Sequence, residues 1–140
     1  MIASSPNAIV AELVGGGTSA QALIDAVREG FPYRAFEDIR EATGISSKEL
    51  AALMGISERT LANRKRSGHF TPQESDHLLR IARVYARTHD YFGSHEQAAA
   101  WLKKPALALS EQTPLSLLDT ELGAEQVMSL LGQLEYGVLP

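Results

Sequence analysis

Along most of this chain, a serine or threonine stands just ahead of a short run of apolar residues at helical spacing. Thr18 precedes Gln21, Thr71 precedes Pro72 and Glu74, and Ser94 precedes Gln97. A hydroxyl three residues before Glu or Gln is the signature of a capping box, in which side chains satisfy backbone donors at a helix start. Ser57 and the pair Thr113-Pro114 read as further starts, because proline suits the first helical position. Glycines at 30, 44 and 93 fall where these runs stop, as left-handed helix ends require. No stretch keeps a strict two-residue alternation, and aromatics make up 6% of the chain. The expected class is all-α, about seven short helices joined tightly, with no internal repeat.

The apolar positions say which faces turn inward. Leu23, Ile24 and Val27 share a face of the first clear helix, residues 19–29, and Phe36 and Ile39 share one in the next. Leu78, Leu79, Ile81, Ala82, Val84 and Tyr85 form a broad stripe on a long helix, residues 72–89. Trp101 and Leu102 pack before Pro105. Leu109, Leu117, Leu118, Val127, Leu130, Leu131 and Leu134 supply a core for the last third. The triple glycine at 15–17 reads as a flexible join to a loose N-terminal arm.

Residues 46–66, SSKELAALMGISERTLANRKR, have the layout of a helix-turn-helix. Leu50 and Met54 bury the first helix, and Ala51 is small where the second must cross. Gly55 makes the turn, Ser57 caps the second helix, and Ile56 and Leu61 anchor it. The outward face then carries Arg59, Thr60, Asn63, Arg64, Lys65 and Arg66. Arginine grips guanine and asparagine grips adenine through paired hydrogen bonds, while further cations meet phosphates. Arg59 and Asn63 are therefore the base-reading candidates, with Thr60 beside them. Arg64, Lys65, Arg66 and His69 are the phosphate candidates. Arg64 departs from the pattern, since an apolar residue is usual there. Its stem can cover the core edge, which competes with a role on DNA.

The net charge of −4 hides an asymmetry: all 13 Lys and Arg lie at or before Lys104. From residue 105 onward there are five acids, Glu111, Asp119, Glu121, Glu125 and Glu135, and no base. Such a division implies two partners of different character. Cysteine is absent, the first residues lack the early basic charge of a secretory leader, and no window approaches a membrane span. A cytoplasmic protein without a membrane partner is expected. His69, His77, His89 and His95 show no metal-binding spacing, and neither a phosphate-cradling loop nor a nucleophile elbow is present. Neither catalysis nor a metal or other cofactor is expected.

The last third carries the most specific signal. Trp101-Leu102, Pro105, Leu109, Thr113-Pro114, Leu117-Leu118, Thr120, Gly123 and the closing Glu135-Tyr136-Gly137 resemble the toxin-binding domain of Xre/MbcA/ParS antitoxins, preceded by their Xre-type helix-turn-helix. The resemblance spans roughly residues 36–137. With the glycine-joined N-terminus added to this two-part layout, the expected division is an arm and helix at 1–30, a DNA-binding domain at 31–93 and a toxin-binding domain at 94–140. It also implies a RES-domain toxin that consumes NAD⁺ as partner. The C-terminal domain would cover the toxin's active site, and a homodimer or larger complex would repress its own operon at an operator. A pocket for a pyrophosphate needs basic walls, which an acidic domain complements. Glu135, Tyr136, Gly137, Val138, Leu139 and Pro140 are the toxin-contact candidates, because their apolar side chains follow the last helical turn; folding back on the chain is the alternative for the tail. The competing reading is a stand-alone regulator whose C-terminal helices dimerise.

Overall fold

A computed structural model describes residues 6–15 and 17–137. Among them are eight α-helices: α1 (Pro6–Val14), α2 (Ala20–Glu29), α3 (Tyr33–Thr43), α4 (Ser47–Leu53), α5 (Glu58–Ser67), α6 (Pro72–Phe92), α7 (His95–Leu102) and α8 (Glu121–Glu135). Two 3-10 turns, Leu107–Leu109 and Leu115–Asp119, join α7 to α8. The described residues contain no strand, only isolated bridges at Pro32–His69 and Ala106–Gln112. The all-α expectation holds.

The spine is α6. Thr71 accepts from the Glu74 amide, and the Glu74 carboxylate accepts in return from the Thr71 amide, closing the capping box read from the sequence. At 21 residues α6 is long enough to meet α1, α2, α3, α7 and α8. Leu78, Ile81, Ala82, Val84, Tyr85 and Ala86 are buried along it. One continuous apolar cluster therefore runs from Val10 to Leu131, and no gap in the core separates the helix-turn-helix from the C-terminal helices. Polar ties reinforce the join. Lys103 donates to the Gly44 carbonyl at 2.8 Å, and Arg80 donates to Glu121 at 3.2 Å.

Several details differ from expectation. Residues 6–14 are not part of a loose arm. Residues 6–14 form α1, which lies on α6 with Val10 and Val14 buried. Gly15, at φ +75°, ends that helix and turns the chain. The cap of α2 is Ser19 rather than Thr18, because the Ser19 hydroxyl is the one that accepts from the Ala22 amide. Ile24 faces outward and is 43% exposed, while Leu23 is buried. Leu117 and Leu134 only flank the core.

At the start of α8, Thr120 accepts from the Gly123 amide at 2.9 Å. A Cβ on Gly123 would stand 2.0 Å from the Leu117 carbonyl. Only glycine lets α8 approach the preceding turn this closely.

Candidate nucleic-acid and partner surfaces

The α4–α5 unit is built by short-range hydrogen bonds. Ser46 caps α4 by accepting from the Glu49 amide, and Met54 ends it. Gly55 takes φ +76°, and the Ile56 amide returns to the Ala51 carbonyl at 3.0 Å. Ser57 then caps α5 by accepting from the Thr60 amide. Leu50, Ala51, Met54 and Leu61 are buried, so the crossing uses the small residue where the sequence placed it. His77 of α6 lies 2.9 Å from the Met54 carbonyl through Nδ1, tying the unit to the spine.

The outward face of α5 is strongly basic, but its residues are not equivalent. Arg59, Lys65 and Arg66 are exposed. Asn63 is also exposed, and its carboxamide oxygen accepts from Arg66 one turn on. Thr60 is half-buried and its hydroxyl meets the Ser57 hydroxyl at 3.1 Å, part of the cap. His69 is exposed just beyond the end of the helix.

Arg64 stands apart from this group. Its Nε donates to Glu74 Oε1 at 2.7 Å and a terminal nitrogen donates to Oε2 at 3.0 Å. This two-point geometry is the strong form of a guanidinium–carboxylate contact. Burial alone would raise the Glu74 carboxyl. The hydrogen bond from Arg64 and those from Thr71 outweigh it and hold the group below the usual carboxylate range. The same bond raises Arg64. Arg64, a phosphate candidate by sequence, thus has its guanidinium engaged by Glu74 instead of standing free.

The C-terminal surface has a different character. Arg87 of α6 pairs with Glu135 of α8 and, at 3.8 Å, with Asp90. The Glu135 carboxylate is therefore held against the spine rather than projecting from it. Tyr136, just past α8, is 79% exposed, and Gly137 turns the chain at φ +71°. Val138, Leu139 and Pro140, the other expected contacts, lie outside the described residues. Two exposed leucines were missed in the sequence, Leu107 at 84% and Leu122 at 70%. Leu107 opens a tight turn closed by the Ala106–Gln112 bridge, in which Ser110 and Glu111 take φ +56° and +63°. Left-handed backbone at two consecutive non-glycine residues is rare, and no residue pattern here announces it. No described helix is long and apolar enough to cross a membrane.

Comparison with known proteins matches the chain to two family domains in succession. Residues 22–83 match the family described as the antitoxin Xre-like helix-turn-helix domain. Residues 87–137 match the antitoxin Xre/MbcA/ParS C-terminal toxin-binding domain. The boundary falls inside α6, consistent with a helix shared by both. A protein of Yersinia enterocolitica named Antitoxin Xre is 36% identical over 83% of this chain and 80% of its own length. One of that name from Photorhabdus laumondii is 34% identical over 90% of this chain and 87% of its own. A third, from Pseudomonas putida, is 39% identical over 59% of this chain and 52% of its own.

Proposed function

The chain belongs to the Xre antitoxin family, and on that premise we propose that it neutralises a RES-domain, NAD⁺-consuming toxin and represses its own operon. The observation that carries the reading is the division of charge over one continuous core. The outward face of α5 carries Arg59, Lys65 and Arg66, whereas residues 105–137 contribute acids and no base.

In this reading residues 31–93 bind operator DNA and residues 94–140 cover the toxin. Arg59 and Asn63 read bases, and Lys65 and Arg66 meet phosphates. The acids of residues 105–137 that carry no ion pair among the described residues, Glu111, Asp119 and Glu125, speed encounter with a toxin whose pocket must attract a pyrophosphate. Exposed Tyr136 and Leu107 supply the apolar contacts that a polar rim surrounds. Inhibition needs no chemistry from this chain; it requires only a fitted cover over the pocket, formed in the cytoplasm where the operon is transcribed.

Co-expression with the product of the neighbouring reading frame tests the proposal. The two proteins should co-purify, and the chain should restore growth that the neighbour alone arrests. A neighbour that neither binds the chain nor arrests growth would remove the toxin half of the reading.

A further inference from the structure

Among the described residues, every ion pair is made by an arginine. The chain has four lysines, Lys48, Lys65, Lys103 and Lys104, and none of them faces a carboxylate partner. The division has a chemical basis. The guanidinium fork suits fixed, two-point contacts within a fold, whereas the ammonium is a mobile point charge suited to phosphate. Lys65 lies on the outward face of α5. The other three gather elsewhere, at the joint between α3 and α4.

Lys103 places them there. Its ammonium donates to the Gly44 carbonyl at 2.8 Å, where α3 ends in a left-handed turn. Ser46, the cap of α4, is two residues further on, at most about 7 Å away between Cα atoms. Lys48 stands in the first turn of α4, and Lys104 follows Lys103. All three lysines are exposed. The acids of this region are turned to other uses. The Glu49 carboxylate accepts from the Ser46 hydroxyl at 3.4 Å, and Glu41 lines a cleft with Arg34 and His95.

In a helix-turn-helix whose second helix enters the major groove, the first helix crosses the phosphate backbone. Here that first helix is α4, so phosphates run past it, and cations beside its start are within their reach. Lys103 and Lys104 nevertheless belong to residues 87–137, the stretch matched to the toxin-binding domain. We infer that Lys103 and Lys104, with Lys48, contact operator phosphates, so that the toxin-binding module supplies part of the sequence-independent affinity for DNA. The inference rests on the reading of the chain as an operator-binding protein and crosses the boundary that reading draws at residue 94. Lys103 has a second role, since a cation is favourable at the carbonyl end of α3. Lys104 has no side-chain hydrogen bond among the described residues, and so carries the test.

The experiment is fluorescence anisotropy on the full chain, free of toxin. One labelled duplex holds the promoter upstream of the reading frame, and a second holds the same bases scrambled. Salt runs from 50 to 200 mM, and thermal melts report folding. Lys104→Gln stays folded, binds both duplexes about three- to tenfold more weakly at 0.1 M salt, and reduces the salt slope by about one unit. Lys48→Gln does the same, and the double variant loses about two units. Arg28→Gln, which removes an unpaired exposed cation from α2, changes neither quantity. Lys104→Gln with the affinity and slope of the wild type overturns the inference. So does a loss confined to the promoter duplex, or an equal loss in Arg28→Gln, which would reflect net charge alone. Unchanged DNA binding with impaired toxin neutralisation would assign Lys104 to the toxin instead. A wild type that binds neither duplex overturns the operator reading as well. A wild type whose promoter binding is abolished by Arg59→Ala and untouched by Lys104→Gln overturns this inference alone.

Discussion

Arg64 and Glu74 join the last turn of α5 to the first turn of α6 through two parallel hydrogen bonds, at 2.7 and 3.0 Å. Glu74 also receives the Thr71 amide and is nearly buried. One carboxylate thus closes the cap of the spine and fixes the exit of the candidate recognition helix.

Glu74→Gln should destabilise the fold by about 1.5–3 kcal/mol, the range for hydrogen bonds to charged groups. The effect should depend on pH. Because the folded-state carboxyl is held below its ordinary value, its contribution is complete above the unfolded range near pH ~4 and is lost as pH falls through the folded value. Chemical denaturation from pH 7 to pH 2.5 should show the wild-type advantage over Glu74→Gln shrinking in acid. An advantage that is constant with pH would show that the charge is not what matters.

The face of α5 should divide into two kinds of residue. Arg59→Ala and Asn63→Ala together should abolish specific operator binding, at about 1–3 kcal/mol per lost base contact, and leave toxin neutralisation intact. Lys65→Ala should weaken binding to all sequences and reduce the salt slope by about one unit. Arg64→Ala should instead lower the melting temperature, since its guanidinium already faces Glu74. Shift assays at several salt concentrations, paired with melts, separate the two behaviours.

The C-terminal surface can be tested without disturbing the core. Deleting residues 136–140 should leave a folded protein, because Tyr136 lies exposed beyond α8, and should impair neutralisation. Leu107→Ser should also leave the fold intact and weaken toxin binding. Full inhibition by both variants would move the inhibitory surface elsewhere on the acidic third.

Val14→Ala should cost about 2 kcal/mol, as deletion of methyl groups from a buried site does. Urea titration gives the value directly. A loose arm would tolerate the change, whereas α1 docked on α6 does not.

Helix positions were legible in the sequence because their causes are local. A hydroxyl cap, a proline at the first position and a glycine stop act within a few residues, and Thr71, Pro72 and Gly93 announced α6 correctly. The crossing of α4 and α5 was equally readable from Ala51 and Gly55. Long-range pairings were not. Nothing within ten residues of Arg87 names Glu135 as its partner, and nothing near the triple glycine says that Val10 and Val14 reach α6. Ile24 fitted the helical period of an inward face, yet α6 offers room for Leu23 and leaves Ile24 at the lip of a cleft. Leu107 shares this limit, since its exposure follows from a closed turn rather than from residue spacing.

The central claim is that the chain inhibits an NAD⁺-consuming toxin by covering it. The most direct measurement is NAD⁺ consumption by the purified product of the neighbouring reading frame while the full chain is titrated in. Consumption that falls to zero at a fixed molar ratio is the result expected. Consumption that continues undiminished under molar excess of the chain would contradict the account.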